Sequence, residues 1–356
     1  MALKTGEMTG LERVVSALQH KEGDRVPAGP LVCGASRRVL GVTYQEWAQD
    51  SDVTIESMVQ AQKLIRPDGV LLLVDLSVEG ADFGGPMVFP IEDTPHPVYK
   101  DNLIKTLDDY HKVERIDPRK AKRMSHMVRY TDGVMKALGK ETAVMTFCYG
   151  PLGILSMLRG AEKLFLDCMK NPQVVHEASE IITDVLLEQI DALCETGVHA
   201  VVLDTLFASG SIMSKDLWMK MEGPYARRLA ERVHSHGTAV VVHNCGNNVY
   251  FDVQMETMSP EAISFAYLPD DCKTAEELKE KWGDKTCLVG YVPPSPDMML
   301  HTPEQIKETC KEQIKVLAPG GGFILSTGCE FPPNGSLLSA IAMMEAADEY
   351  GWYPIQ

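Results

Sequence analysis

Residues 238–243 read TAVVVH, and NCGN follows directly. Ala239, Val240, Val241 and Val242 are apolar in succession. A strand with one face in water alternates apolar and polar residues. An unbroken apolar run suits a strand buried on both faces, as in a parallel sheet covered by helices. Working outward, the same signature recurs. VPAGPLV (26–32), GVLLLVD (69–75), TAVMTF (142–147) and HAVVLD (199–204) precede it, and EAISFA (261–266), TCLVGY (286–291) and GFILST (322–327) follow, eight runs in all. Helical patterns such as AEKLFLDCMK, PQVVHEASEIITDVLLEQIDALCETG and PEQIKETCKEQIKVLAPGGG lie between most of them. Helices stop at glycine in CETG and HSHG, and a new run begins a few residues later. Eight strand–helix units predict an α/β fold, a (β/α)8 TIM barrel. The rival is a doubly wound open sheet; no GxGxxG follows the first run, which weakens its nucleotide-binding version.

Residues 1–356 read as one barrel domain. A helical pattern at 9–20, TGLERVVSALQH, opens it behind a threonine cap. Residues 76–141 are the least regular part: GADFGGPMVFPIEDTPHPVY is rich in glycine and proline, and a charged helical stretch follows. This segment is expected to be a lid-like insertion after the second strand, folded back over the barrel mouth.

The net charge of −16, from 34 basic and 50 acidic residues, argues against nucleic-acid binding, because such a surface repels phosphate backbones. No apolar run has the length of a membrane span, and MALKTGEMTGLERV lacks the apolar core of a signal peptide. The nine cysteines are odd in number and irregular in spacing, so they are expected to be reduced thiols of a cytoplasmic protein.

Active sites of such barrels sit at the carboxyl ends of the strands. Those ends carry Asp75, Cys148 and Tyr149, Asp204, His243 and Cys245, Tyr267, Tyr291, and Cys329 in LSTGCEFPPN. His243, Cys245 and Cys329 would leave the barrel on one face although about eighty residues separate the last from the others. One imidazole and two thiolates with an open fourth position describe a catalytic zinc, Zn²⁺, and soft ligands favour it over magnesium or calcium. Taken alone, His-x-Cys also reads as a buried thiol beside a hydrogen-bonded strand-end histidine.

Other residues at the strand ends and loops are weaker candidates. Asp75 ends an apolar strand and serves catalysis, a helix cap or a salt bridge. Glu79 is either a fourth zinc ligand or a solvated loop charge. Asp204, a candidate catalytic residue, opens DTLFASGS, whose small residues leave room for a ligand. Tyr149, Tyr267 and Tyr291 line a substrate pocket or pack in the core. Arg37 and Arg38 bind an acidic group or make surface ion pairs. His234 and His236 fit the carboxyl end of a helix on the opposite rim.

VVHNCGN with the distant STGCEFPP resembles the uroporphyrinogen decarboxylase superfamily, and within it the zinc-dependent, corrinoid-linked methyltransferases. The resemblance runs over nearly the whole chain, through ERVVSALQHKEGDRVP, GPLGILSMLRG and GGFILSTGCEFPPNGSLLSAIAMMEAADEYG. It implies that His243, Cys245 and Cys329 bind zinc and that a methyl group moves to or from a cobalt corrinoid. The decarboxylases carry an MRQAGR-type segment after the first strand, where this chain reads LVCGASRRVLG, although Asp75 falls where they keep an aspartate. No D-x-H-x-x-G corrinoid signature is present, so the resemblance places the corrinoid (a cobalamin) on a separate partner protein. The expected reaction is O-demethylation, with a methyl group passing from a small, methoxyaromatic substrate to Co(I). The alternative is methyl transfer from the corrinoid to a thiol acceptor such as coenzyme M. Decarboxylation and a non-catalytic tetrapyrrole-binding barrel rank below both.

Overall fold

A computed structural model describes residues 6–294 and 300–355. Residues 1–5, on which the signal-peptide reading partly rests, lie outside them. The apolar runs form parallel strands. They are β1 (Gly69–Leu72), β4 (Ala143–Tyr149), β5 (Ala200–Asp204), β6 (Ala239–Asn244), β7 (Ala262–Phe265), β8 (Cys287–Val292) and β9 (Phe323–Thr327). A separate antiparallel ribbon, β2 (Met87–Val88) and β3 (His96–Pro97), stands outside the main sheet. The sheet order is β1-β4-β5-β6-β7-β8-β9, each strand beside its successor, with helices between them on the outside. The fold is an α/β TIM barrel.

The first run departs from expectation. It makes no ladder strand, only a parallel bridge between Ala28 and Leu325. The reason is covalent: Pro27 and Pro30 have no N–H to give a ladder. The remaining groups still close the ring. Gly29 N–H donates to Leu325 O and Leu325 N–H to Pro27 O, both at 2.9 Å, while Asp68 N–H donates to Ala28 O at 2.8 Å. Residues 27–29 therefore stitch β9 to the start of β1. Beneath them Asp68 accepts from Arg13 and Arg25, each at 2.9 Å, and from Ala28 N–H at 2.8 Å, which fixes the amino-terminal face.

The segment 76–141 divides in two. A helix (Val78–Asp82), the ribbon and a 3₁₀ turn (Asp108–Lys112) form the excursion. The helix Lys122–Leu138 instead is the crossover that leads into β4. Its charged face hides a stripe, Met124, Met127, Tyr130, Thr131 and Val134, buried at helical spacing. Asp82 accepts from the N–H groups of Arg123 and Met124, at 2.9 and 2.7 Å, and so joins the excursion's first helix to this one. Among the described residues no helix is long and apolar enough to cross a membrane.

Register positions the site. Tyr149 lies opposite Asp204, Asp204 opposite His243, and His243 opposite Ser264. Paired residues of parallel strands share a face, so these four make one level near the carboxyl ends.

Candidate metal centre

Two strand exits bring the metal-type ligands together. At the end of β6, Asn244 donates from its amide to Thr205 O at 2.7 Å and accepts from Gly246 N–H at 2.8 Å. This buried clamp turns the chain sharply between His243 and Cys245. At the end of β9, Gly328 N–H donates to Val292 O at 2.8 Å. A Cβ on Gly328 would lie 2.6 Å from Ala266 Cα, so only glycine lets the strand pass this close before Cys329. One ligand atom each of His243, Cys245 and Cys329 falls within 4.8 Å of the others. His243 is buried, and the cysteines are half-buried on the mouth side.

The donor set fits a soft divalent metal. His243 Nδ1 is 3.0 Å from Ser264 Oγ, which leaves Nε2 for a ligand role and fixes the ring. Hydrogen bonding from Cys245 holds the Cys329 thiol down to about 4 against the opposing effect of burial, and His243 adds to the lowering. The same contact with Cys329, then burial, pushes Cys245 up. Burial pulls His243 down, but its contacts with Cys329 and Asp204 outweigh this and raise it. Thiols and an imidazole set this close give up protons to a dication that binds them. Among the described residues, and with all nine cysteines included, no disulfide forms.

Asp204 adjoins these ligands. Burial pushes its carboxyl up to about 7, with His243 opposing and Cys329 reinforcing. Its Oδ1 is buried without a hydrogen-bond partner. Asp75 is a salt-bridge residue: Arg123 Nη1 donates to Oδ1 at 3.0 Å, Nη2 reaches Oδ2, and Ser77 N–H donates to Oδ1 at 2.8 Å. Glu79 is not a loop charge but fully buried, with an unpaired Oε1, and burial raises it to about 7. It is not part of the His–Cys–Cys group.

The tyrosines separate. Tyr149 is buried, its ring against Gly153, where an added Cβ would lie 2.3 Å from it. Tyr267 is exposed after β7. Tyr291 stacks on Phe265 at 5.2 Å, Phe265 also meets Phe251, and Phe251 in turn meets Trp282, both on flanking helices. Tyr291 thus belongs to the layer between sheet and helices rather than to the mouth. Arg37 is buried and bonds Glu92 and Asn334, while Arg38 donates to Asn334 O at 2.9 Å. Together they tie the 33–39 turn to the loop beyond Cys329. His234 pairs with Glu261 and His236 with Asp191.

Four residues escaped the sequence reading. Ser264 was signalled only as a hydroxyl inside the apolar run EAISFA. Arg123 sits among the cations of PRKAKRM, and nothing in the sequence marks the one that is buried. Glu222 accepts from Trp218 Nε1 at 2.9 Å and Leu152 N–H at 3.3 Å, and burial raises it to about 8. Glu330, next to Cys329, accepts from Gly34 N–H at 3.3 Å and is likewise raised to about 8 by burial.

The chain matches the family described as Uroporphyrinogen decarboxylase (URO-D) over residues 9–350. It is 23% identical over 351 residues to the Methylcobamide:CoM methyltransferase MtbA of Methanosarcina mazei, covering 97% of this chain and 99% of that protein. It is 22% identical over 308 residues to the Uroporphyrinogen decarboxylase of Helicobacter acinonychis, covering 84% of this chain and 85% of that one. A solved structure titled methyltransferase from Methanosarcina mazei superposes with a TM-score of 0.83 at 20% identity, over 97% of this chain and 99% of that one.

Proposed function

The chain belongs to the uroporphyrinogen decarboxylase family, and within it we propose a corrinoid-linked methyltransferase that passes a methyl group from methyl-Co(III) to a thiol. The observation that carries this reading is the convergence of His243, Cys245 and Cys329 on one point in the barrel mouth. Those side chains would hold zinc. Bound there, zinc supplies a Lewis acid that keeps a thiol deprotonated near neutral pH while its sulfur stays nucleophilic.

The chain's own residues then have distinct tasks. Ser264 orients the His243 ring. Asp75 with Arg123 steadies the segment that leaves β1 and turns over the mouth. The barrel wall of Tyr149 and Asp204 limits water beside the reacting sulfur. The thiol gives its proton to solvent through the open mouth. Its sulfur lone pair forms the S–CH3 bond as the Co–C bond breaks, and both electrons stay on cobalt as Co(I). The corrinoid arrives on a separate protein, since the chain lacks D-x-H-x-x-G.

O-demethylation of a methoxyaromatic substrate, expected from the sequence, leaned on three mouth tyrosines and the FAYLPDD loop. With Tyr149 buried and Tyr291 stacked on Phe265, only Tyr267 is left at the rim. The relative MtbA is named for a thiol acceptor, CoM. The thiol direction therefore stands first. Decarboxylation stands last, because it has no use for three metal-type ligands. The test is spectroscopic: zinc-loaded protein with methylcobalamin and a thiol should convert methyl-Co(III) to Co(I), and Cys329→Ser should lose bound zinc and activity together. A metal-free variant that keeps full activity refutes the reading.

A further inference from the structure

A cavity of about 370 Å³ lies beside the metal centre, not in it: none of His243, Cys245, Cys329 or Asp204 lines it. It opens between the amino end of the helix Ser51–Ile65, the excursion's helix Val78–Asp82 with the ribbon, and the first turns of the helix Lys122–Leu138. Its walls are mostly apolar, from Ala48, Val74, Val78, Ala81, Met87 and Phe89. At the roughly 30 Å³ that a water-sized group takes in a liquid, there is room for about a dozen non-hydrogen atoms. That is the scale of a small organic ligand.

One helix supplies the cationic wall, through Lys122, Arg123 and His126. Arg123 has donors to spare. Nη1 donates to Asp75 Oδ1 at 3.0 Å and to Ser77 Oγ at 2.9 Å, and Nη2 reaches Asp75 Oδ2. Nε–H and the second hydrogen of Nη2 are left over. In a planar guanidinium these two lie on one edge and form the fork that takes both oxygens of a carboxylate. The side chain is 9% exposed, and its unbonded Nε, unlike that of Arg37, is not enclosed by protein. The acids of the cavity are already engaged. Asp50 accepts from Asp52 N–H, and Asp82 accepts from Arg123 and Met124 N–H, so each carboxylate faces a helix amino end. Lys122 and His126 enter no salt bridge or hydrogen bond among the described residues. What is uncommitted is therefore a set of donors and a cation around an apolar chamber. We propose that this chamber binds an amphipathic monocarboxylate. Its carboxylate sits on the free edge of Arg123 with Lys122 at the rim, and its apolar body lies against Met87 and Phe89. The site stands apart from the metal centre and does not depend on the thiol reading.

Three probes share a naphthalene body and differ in the head: 2-naphthoate, 2-naphthylmethanol and 2-naphthylmethylamine. In calorimetric titrations of the zinc-loaded protein, naphthoate should bind about tenfold tighter than the alcohol or better, with the amine weakest. Arg123→Lys keeps a cation for Asp75 but has no fork, and should weaken naphthoate about tenfold while leaving the alcohol unchanged. Ala81→Trp, which fills the chamber, should abolish binding. Lys122→Gln, at an exposed position, should weaken naphthoate by up to about fivefold. Thermal unfolding without ligand checks that each variant is folded, and removing zinc should leave the affinity for naphthoate unchanged. Absence of binding, equal affinity for acid and alcohol, or undiminished affinity in a folded Ala81→Trp protein overturns the proposal. Loss of naphthoate binding on removal of zinc assigns the ligand to the metal centre and overturns it as well.

Discussion

Replacing Arg123 by methionine removes the cation that pairs with the buried Asp75 carboxylate. The Asp75 side chain is 0% exposed and that of Arg123 is 9% exposed. Methionine keeps an apolar stem of similar length but gives up the guanidinium that lies 5.1 Å over the Phe89 ring. Asp75 would retain only Ser77, so most of the loss is the penalty of an uncompensated charge, about 3–5 kcal/mol by the behaviour of broken buried pairs. The backbone N–H of residue 123, held by Asp82 across the excursion, is kept in the variant, so the loss reports the side-chain pair. Urea unfolding followed by circular dichroism reads this directly: the midpoint should fall by about 1 M with the slope unchanged. The double variant Asp75→Leu, Arg123→Met removes both charges and should recover most of the loss, since a buried pair itself contributes little net stability. A loss under about 1 kcal/mol in the single variant, or a double variant no better than the single, refutes the reasoning that Asp75 depends on Arg123.

Ser264→Ala should weaken zinc binding about 10–100-fold by freeing the His243 ring, measured by competition with a chromophoric chelator; unchanged affinity removes Ser264 from the centre. Glu222 gives a pH prediction. Its folded value, near 8, lies above the unfolded carboxylate range, so the native state holds the extra proton. Stability therefore declines as pH rises through the window from about 4.5 to 8 and levels off above it. Glu222→Gln should flatten that part of the urea-midpoint profile, and a profile identical to the parent's contradicts it.

The fold was legible wherever strands were buried on both faces. GVLLLVD, HAVVLD and TAVVVH allow no solvent face, and each became a strand within a residue or two of the expected start. VPAGPLV has the same apolar content but fails as a ladder because its prolines lack donors, and hydrophobicity alone does not register that. The end of 76–141 reads as a charged stretch for a related reason: apart from the buried Arg123, the charges of the helix Lys122–Leu138 face outward and mask its buried stripe. His243, Cys245 and Cys329 were legible as neighbours because parallel strands put all their carboxyl ends on one face. Tyr291 shares that face in sequence yet stacks outward on Phe265. The direction of a side chain at a strand end depends on the local backbone, which the run does not encode. Arg123, Glu222 and Glu330 were invisible because burial of a charge is decided by its partners, and Asp75, Leu152 and Gly34 are remote from them in sequence.

The central claim is a soft-metal centre that takes a thiol as an added ligand. X-ray absorption at the zinc edge of the loaded protein, recorded before and after adding 2-mercaptoethanol, tests it most directly. The account predicts one nitrogen at about 2.0 Å and two sulfurs at about 2.3 Å from the protein, with a third sulfur appearing on addition of the thiol. A zinc shell without sulfur, or one that the thiol leaves unchanged, would contradict it.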